Sequence, residues 1–94
     1  MRKKNAFDRT QFVKVTKEHD VYALADTLLK GNPLVLNFEA QDVVASNQFI
    51  LFLSGVIYAF DGQVEKIKEK ILIFATKEDF KDKALRRFIN ENKD

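Results

Sequence analysis

Phe49-Ile50-Leu51-Phe52-Leu53-Ser54-Gly55-Val56-Ile57-Tyr58-Ala59-Phe60 is the stretch on which the reading of this 94-residue chain turns. An ordinary surface helix carries one apolar stripe and one polar face. Wound as a helix, this run offers Ile50, Leu53 and Ile57 on one side. It offers Phe49, Phe52, Val56 and Phe60 on another. One sheet covers only one of those sides, so the other calls for a second apolar surface. The run is too short to span a bilayer, which takes about 20 apolar residues. In so small a chain the expected cover is another copy of the protein, and assembly is indicated before any catalytic chemistry.

Working outward, Asp42 is placed to cap this helix over 42–60, and Asp61-Gly62 reads as the turn that ends it. Gly62 is then a turn glycine with positive φ. Upstream, Pro33-Leu-Val-Leu-Asn-Phe38 is a compact apolar strand, and Phe12-Val-Lys-Val15 alternates as a shorter one. Between them Val21, Leu24, Ala25 and Leu28 recur at helical spacing, predicting a helix over 18–30 that Gly31-Asn-Pro33 stops. Strand, helix, strand in that order favours a parallel pair. Downstream, 64–68 and Ile71-Leu-Ile-Phe-Ala75 form a hairpin, with the nearly continuous apolar strand central to the sheet. Phe80, Ala84, Leu85, Phe88 and Ile89 predict one amphipathic C-terminal helix within 77–94, with a frayed polar end at 90–94. The fold class is α/β, a compact sandwich of two main helices on a small mixed sheet in the order β-α-β-α-β-β, followed by the C-terminal helix. A flexible polar arm is expected over 1–11, a core over 12–76 and a helical tail over 77–94.

Composition narrows the function. Hydrophobic residues make up 46%, with nine Phe and no Trp, enough for an aromatic core. Sixteen basic and fourteen acidic residues, well mixed, leave a net charge of +2, which does not suggest nucleic acid. Absent cysteines leave no disulfide or thiolate site and fit a reducing cytoplasm. The basic start at Met1 lacks the apolar stretch of a secretory signal. His19 is the one imidazole, so no metal site is expected, and no cofactor. Ser54 lies in an apolar helix rather than at a nucleophile elbow, and nothing places Asp42, Asp61 and Glu65 in a common cleft. No catalytic residues are assigned. Gly55 costs a helix about 1 kcal/mol relative to alanine, so close approach of a second helix is its functional reading. Lys66, Lys68 and Lys70 read as a basic edge that guards the hairpin against unwanted pairing.

Leu24-Ala-Asp26, Pro33-Leu-Val-Leu-Asn37, Phe52-Leu-Ser-Gly55, Val56-Ile-Tyr58-Ala59, Gly62, Val64-Glu-Lys-Ile67 and Lys70-Ile-Leu-Ile73 stand in an order and spacing that covers residues 12–76. In these motifs the chain resembles the core domain of the SepF family of bacterial and archaeal cell-division proteins. The resemblance implies a sandwich that dimerises through its helices. It also implies binding to the C-terminal tail of FtsZ, the tubulin-like division GTPase, linkage to the membrane and assembly into polymers. By the family's pattern the tail docks near the last hairpin and the partner subunit. Lys66 then supplies the basic position. Leu72 stands where relatives commonly carry phenylalanine, so an aromatic contact is lost or passed to Phe74.

Two departures from the pattern bear on this. Family members usually begin with an amphipathic membrane helix and a linker, whereas a polar-biased segment precedes the first strand here. Membrane contact is therefore not expected of these residues by themselves. Ser46-Asn47-Gln48 also stand where relatives often carry basic residues. The resulting expectation is a non-enzymatic, cytoplasmic homodimer or polymer at the division site. Its interface would comprise Phe49, Phe52, Gly55, Val56 and Phe60, and its partner-peptide site Phe52, Lys66, Leu72 and Phe74. The alternative is a small dimeric ligand-sensing regulatory domain with a pocket lined by Ser54, Asn37 or Gln48. Nucleic-acid binding, a third class, would require a steep salt dependence.

Overall fold

Four short strands carry apolar side chains on both faces of one sheet, and helices cover each face. The computed structural model describes residues 4–93. The chain runs through α1 (Ala6–Arg9), β1 (Gln11–Lys14), α2 (Val21–Leu29), β2 (Leu34–Asn37) and α3 (Val43–Ala59). It continues through β3 (Gly62–Lys68), β4 (Ile71–Thr76), α4 (Lys77–Phe80) and α5 (Lys83–Asn92). The strand order is β1-β2-β4-β3, with β1 and β2 parallel and β4 antiparallel to both of its neighbours. The α/β class, the parallel first pair and the central position of the 71–76 strand agree with the sequence reading.

Alternation along β2 divides the core, since successive strand residues point to opposite faces. Leu34 and Leu36 join Leu24, Leu28, Phe38, Leu53, Ile57 and Phe74 beneath α2 and α3. Val35 joins Ile67, Ile73 and Ala75 on the other face, beneath Ala6, Phe80, Leu85 and Ile89. Truncating a buried leucine of this kind to alanine costs about 2–5 kcal/mol. Asp42 caps α3 as expected, its carboxylate accepting from the Ala45 amide at 2.8 Å. The first long helix starts later than the periodicity suggests, at Val21. Asp20 accepts from the Tyr22 amide at 3.0 Å and fixes the boundary.

Three further expectations give way. Where a flexible arm over 1–11 is expected, the described part from Lys4 is a packed turn; residues 1–3 lie outside the described residues. Ala6 is buried, and the Phe7 ring lies 5.4 Å from that of Phe88. Arg9 Nη2 donates to Asp79 Oδ1 at 2.6 Å and its Nη1 to the Gly31 carbonyl. Each of these partners is distant in sequence, so a polar local composition concealed them.

The single C-terminal helix is two. Thr76 caps α4 through the Asp79 amide at 3.1 Å, and Asp82 caps α5 through the Leu85 amide at 2.9 Å. That second cap breaks the helix while leaving Phe80, Leu85 and Ile89 on the sheet. The end expected to fray stays helical through Asn92, and Asp94 lies outside the described residues.

Gly62 is not a positive-φ turn residue. That conformation falls on Asp61, with φ 58°, and Gly62 begins β3. A Cβ at Gly62 would sit 2.5 Å from both the Ala75 carbonyl oxygen and Ile57 Cγ1, so close approach is what demands glycine.

Candidate partner-binding surfaces

The first turns of α3 stand over the β3–β4 hairpin without closing on it. A groove of about 260 Å³ results, lined among others by Phe38, Val43, Asn47, Ile50, Lys66 and Leu72. Lys66 and Leu72 come together here because they are register partners across β3 and β4. Lys66 Nζ lies 2.9 Å from Glu69 Oε2. The hydrogen bond from Lys66, and then its charge, hold the Glu69 carboxyl below the ordinary glutamate range. Both side chains are exposed, so the pair is worth little and an incoming carboxylate can compete for the ammonium.

The other two residues expected at the peptide site are elsewhere. Phe74 is 0% exposed, packed with Leu34, Leu36, Leu53 and Ile57. It shares a face with Leu72 but lies deeper along β4. Phe74 is therefore a buried neighbour of the groove rather than part of its lining. Phe52 is on the outer side of α3, its ring edge-on to Tyr22 at 5.3 Å, and does not line the groove.

That outer side is the second surface. Leu51 is 75% exposed and Phe52 40%, and Val44 and Tyr58 are exposed too, with Phe60 exposed just past the helix end. Gly55 sits among them, and a Cβ built there meets nothing within 4 Å. Of the five residues expected at an interface, Phe52, Gly55 and Phe60 are on the surface. Phe49 and Val56 instead turn toward the core, with the Phe49 ring 6.4 Å from Phe38. Sequence reasoning overlooked Val44, Leu51, Tyr58 and Tyr22. The signal was present for the first three, because positions 44, 51, 55 and 58 follow one line along a helix.

The residues of the ligand-sensing alternative are not gathered. Asn37 faces α5, with its amide tied to Glu39 by two 2.8 Å hydrogen bonds. Ser54 and Gln48 belong to α3, on the opposite face of the sheet. His19 closes the turn before α2, its Nδ1 accepting from the Thr16 amide at 3.0 Å. Among the described residues no cluster of three His, Asp or Glu side chains could hold a metal ion. Among them, too, no helix is long and apolar enough to cross a membrane.

The family model described as Cell division protein SepF matches residues 11–78, from β1 into α4. Cell division protein SepF of Carboxydothermus hydrogenoformans is 35% identical over 69 residues, covering 73% of this chain and 50% of that protein. The protein of the same description from Natranaerobius thermophilus is 31% identical over 71 residues, covering 70% of this chain and 42% of that one. The chain thus spans about half the length of the curated relatives it matches. The matched segment holds the whole sheet, α2, α3 and the Lys66–Leu72 groove, and on this ground the chain belongs to the SepF family of cell-division proteins.

Proposed function

We propose that the chain is a non-enzymatic cell-division adaptor that dimerises, binds the C-terminal tail of FtsZ and assembles further at the division site in the cytoplasm. The observation that carries this reading is the groove between α3 and the β3–β4 hairpin. It combines an apolar floor of Phe38, Ile50 and Leu72 with a basic rim of Lys66 and Lys70. An apolar, partly acidic peptide matches both features. Lys66 steers the peptide, Leu72 contacts it, and Phe74 supports Leu72 from below.

Dimerisation uses the outer side of α3, where Phe52, Gly55 and Phe60 lie with Leu51 and Tyr58. Phe52 belongs to that contact and borders the peptide only through the partner subunit. Each groove holds its short peptide weakly, and avidity within a polymer makes the binding effective.

The test is calorimetric titration with the FtsZ tail peptide of the same organism, paired with sedimentation. A dimer that binds the tail saturably, about fivefold more weakly after Lys66→Glu, supports the adaptor reading. A dimer with no tail binding retains the fold and overturns the adaptor reading.

A further inference from the structure

β3 does not keep a regular alternation. Its register with β4 shifts between Lys66 and Lys68, so that Lys66 opposes Leu72 and Lys68 opposes Ile71. A bulge of this kind re-aims a side chain. Lys66 faces the α3 groove, while Ile67 and Lys68 both turn to the α5 face. The last row of that face then crosses the whole sheet as Lys14, Asn37, Ile71 and Lys68, one residue from each strand.

α5 covers the inner rows but not this one. A trough of about 320 Å³ remains, with Phe12, Val35, Ile67, Ile71 and Phe88 as its apolar lining. A lysine stands at either end, on the two edge strands. Among the described residues neither Lys14 nor Lys68 has an ion-pair partner. The two side-chain amides in the trough are already engaged, Asn37 with Glu39 and Asn92 with the Phe88 carbonyl. The ammonium groups are thus the polar side chains left to meet a ligand.

The spacing selects the ligand. Three strand spacings separate the two lysine backbones, about 14 Å. Four residue steps of an extended peptide also cover about 14 Å, and side chains at i, i+2 and i+4 point the same way. We propose that this trough binds an extended acidic peptide of pattern acid–x–apolar–x–acid, laid across the strands. The two carboxylates meet Lys14 and Lys68, and the apolar side chain enters between Ile71 and Phe88. This surface lies on the opposite face of the sheet from the Lys66 groove, so the proposal stands or falls apart from the tail-binding reading.

The probe is a synthetic aspartate–serine–phenylalanine–serine–aspartate peptide with blocked ends, followed by amide chemical shifts of the labelled protein. Saturable shifts centred on Lys14, Asn37, Lys68 and Ile71 are expected. An isomer with its aspartates adjacent, or a peptide with alanine for the phenylalanine, should bind at least tenfold more weakly. Lys14→Glu with Lys68→Glu should have a similar effect, and both positions are exposed, so the fold is retained. Lys83→Glu, at the far end of α5, should leave binding unchanged. Equal affinity for the isomer, full affinity in the double variant, shifts centred elsewhere or no saturation would each overturn the proposal. Binding of decanoate in preference to the peptide would overturn it too, by making the trough a site for a small amphiphile.

Discussion

Arg86 of α5 grips Glu65 of β3 with both prongs of its guanidinium, Nη1 lying 3.2 Å from Oε1 and Nη2 3.1 Å from Oε2. This contact ties the C-terminal helix to the edge of the sheet, and Arg86 also lies over the Phe80 ring. The hydrogen bonds from Arg86 hold the Glu65 carboxyl below its ordinary value near 4.5. Partial burial opposes that shift, while the Arg86 charge and Gln63 reinforce it.

A carboxyl whose folded pKa is depressed stabilises the fold above its unfolded pKa, and that contribution is lost as pH falls through the folded value. Glu65→Gln should therefore cost about 0.5–1 kcal/mol at pH 7, a small figure because Arg86 is partly exposed. Thermal melts of parent and variant should differ by roughly 2–8 °C at pH 7. The gap should begin to close below about pH 4.5 and vanish once the folded carboxyl is protonated. A gap that persists in acid would mean that the pair does not hold α5.

Gly62→Ala tests the close approach at the start of β3. The added methyl would meet the Ala75 carbonyl and Ile57 at 2.5 Å, and the carbonyl belongs to a paired strand that cannot yield cheaply. Overpacking costs about 1–3 kcal/mol, and a backbone neighbour places this site at the upper end. The midpoint of chemical denaturation should fall accordingly with an unchanged slope. A neutral substitution would show that the strand can shift at that point.

The contrast between Gly62 and Asp61 illustrates what the sequence made legible. Apolar periodicity was enough to locate α2, α3 and the central strand, because burial on one side imposes that periodicity. Asp42 marked a boundary because a carboxylate before an apolar run satisfies orphan amides. Conformation within a turn is a finer matter, and Asp-Gly there does not say which residue takes positive φ. The bulge was hidden because the imperfect alternation over 64–68 does not say where the register with β4 slips. The candidate groove was half legible. Lys66 and Leu72 meet as register partners, but the burial of Phe74 depends on how deep α2 and α3 lie. The packed N-terminal turn could not be read locally, since its receptors are Asp79, Asp82 and Phe88.

Lys70 offers a gain of stability. It adopts φ 66° in the hairpin turn, a left-handed conformation that costs a side-chain-bearing residue about 1–2 kcal/mol. Glycine removes that strain while adding unfolded-state entropy of about 0.5–1 kcal/mol. Lys70→Gly should thus stabilise by about 0.5 kcal/mol, or ~2–4 °C in the melt. Lys70→Ala, which retains the strain, should give no such gain. Equal melting of the two variants would show that turn conformation does not limit stability here.

Gly55 separates folding from assembly. A Cβ at this position meets nothing within 4 Å, so no neighbour in the same chain requires glycine, and the helix bears its cost uncompensated. Gly55→Ala should raise the intrinsic stability of the subunit by about 1 kcal/mol. Gly55→Lys should also fold, with unchanged helical circular dichroism, because the side chain extends into open space. If the outer side of α3 meets a second copy, Gly55→Lys buries an unpaired charge in that contact. Sedimentation over a range of concentrations should then show the parent assembling and the lysine variant remaining a subunit. Concentration must be varied because association itself stabilises the folded chain. A lysine variant that sediments like the parent would remove this side of α3 from the interface. One that fails to fold would show instead that Gly55 serves the subunit and not its partner.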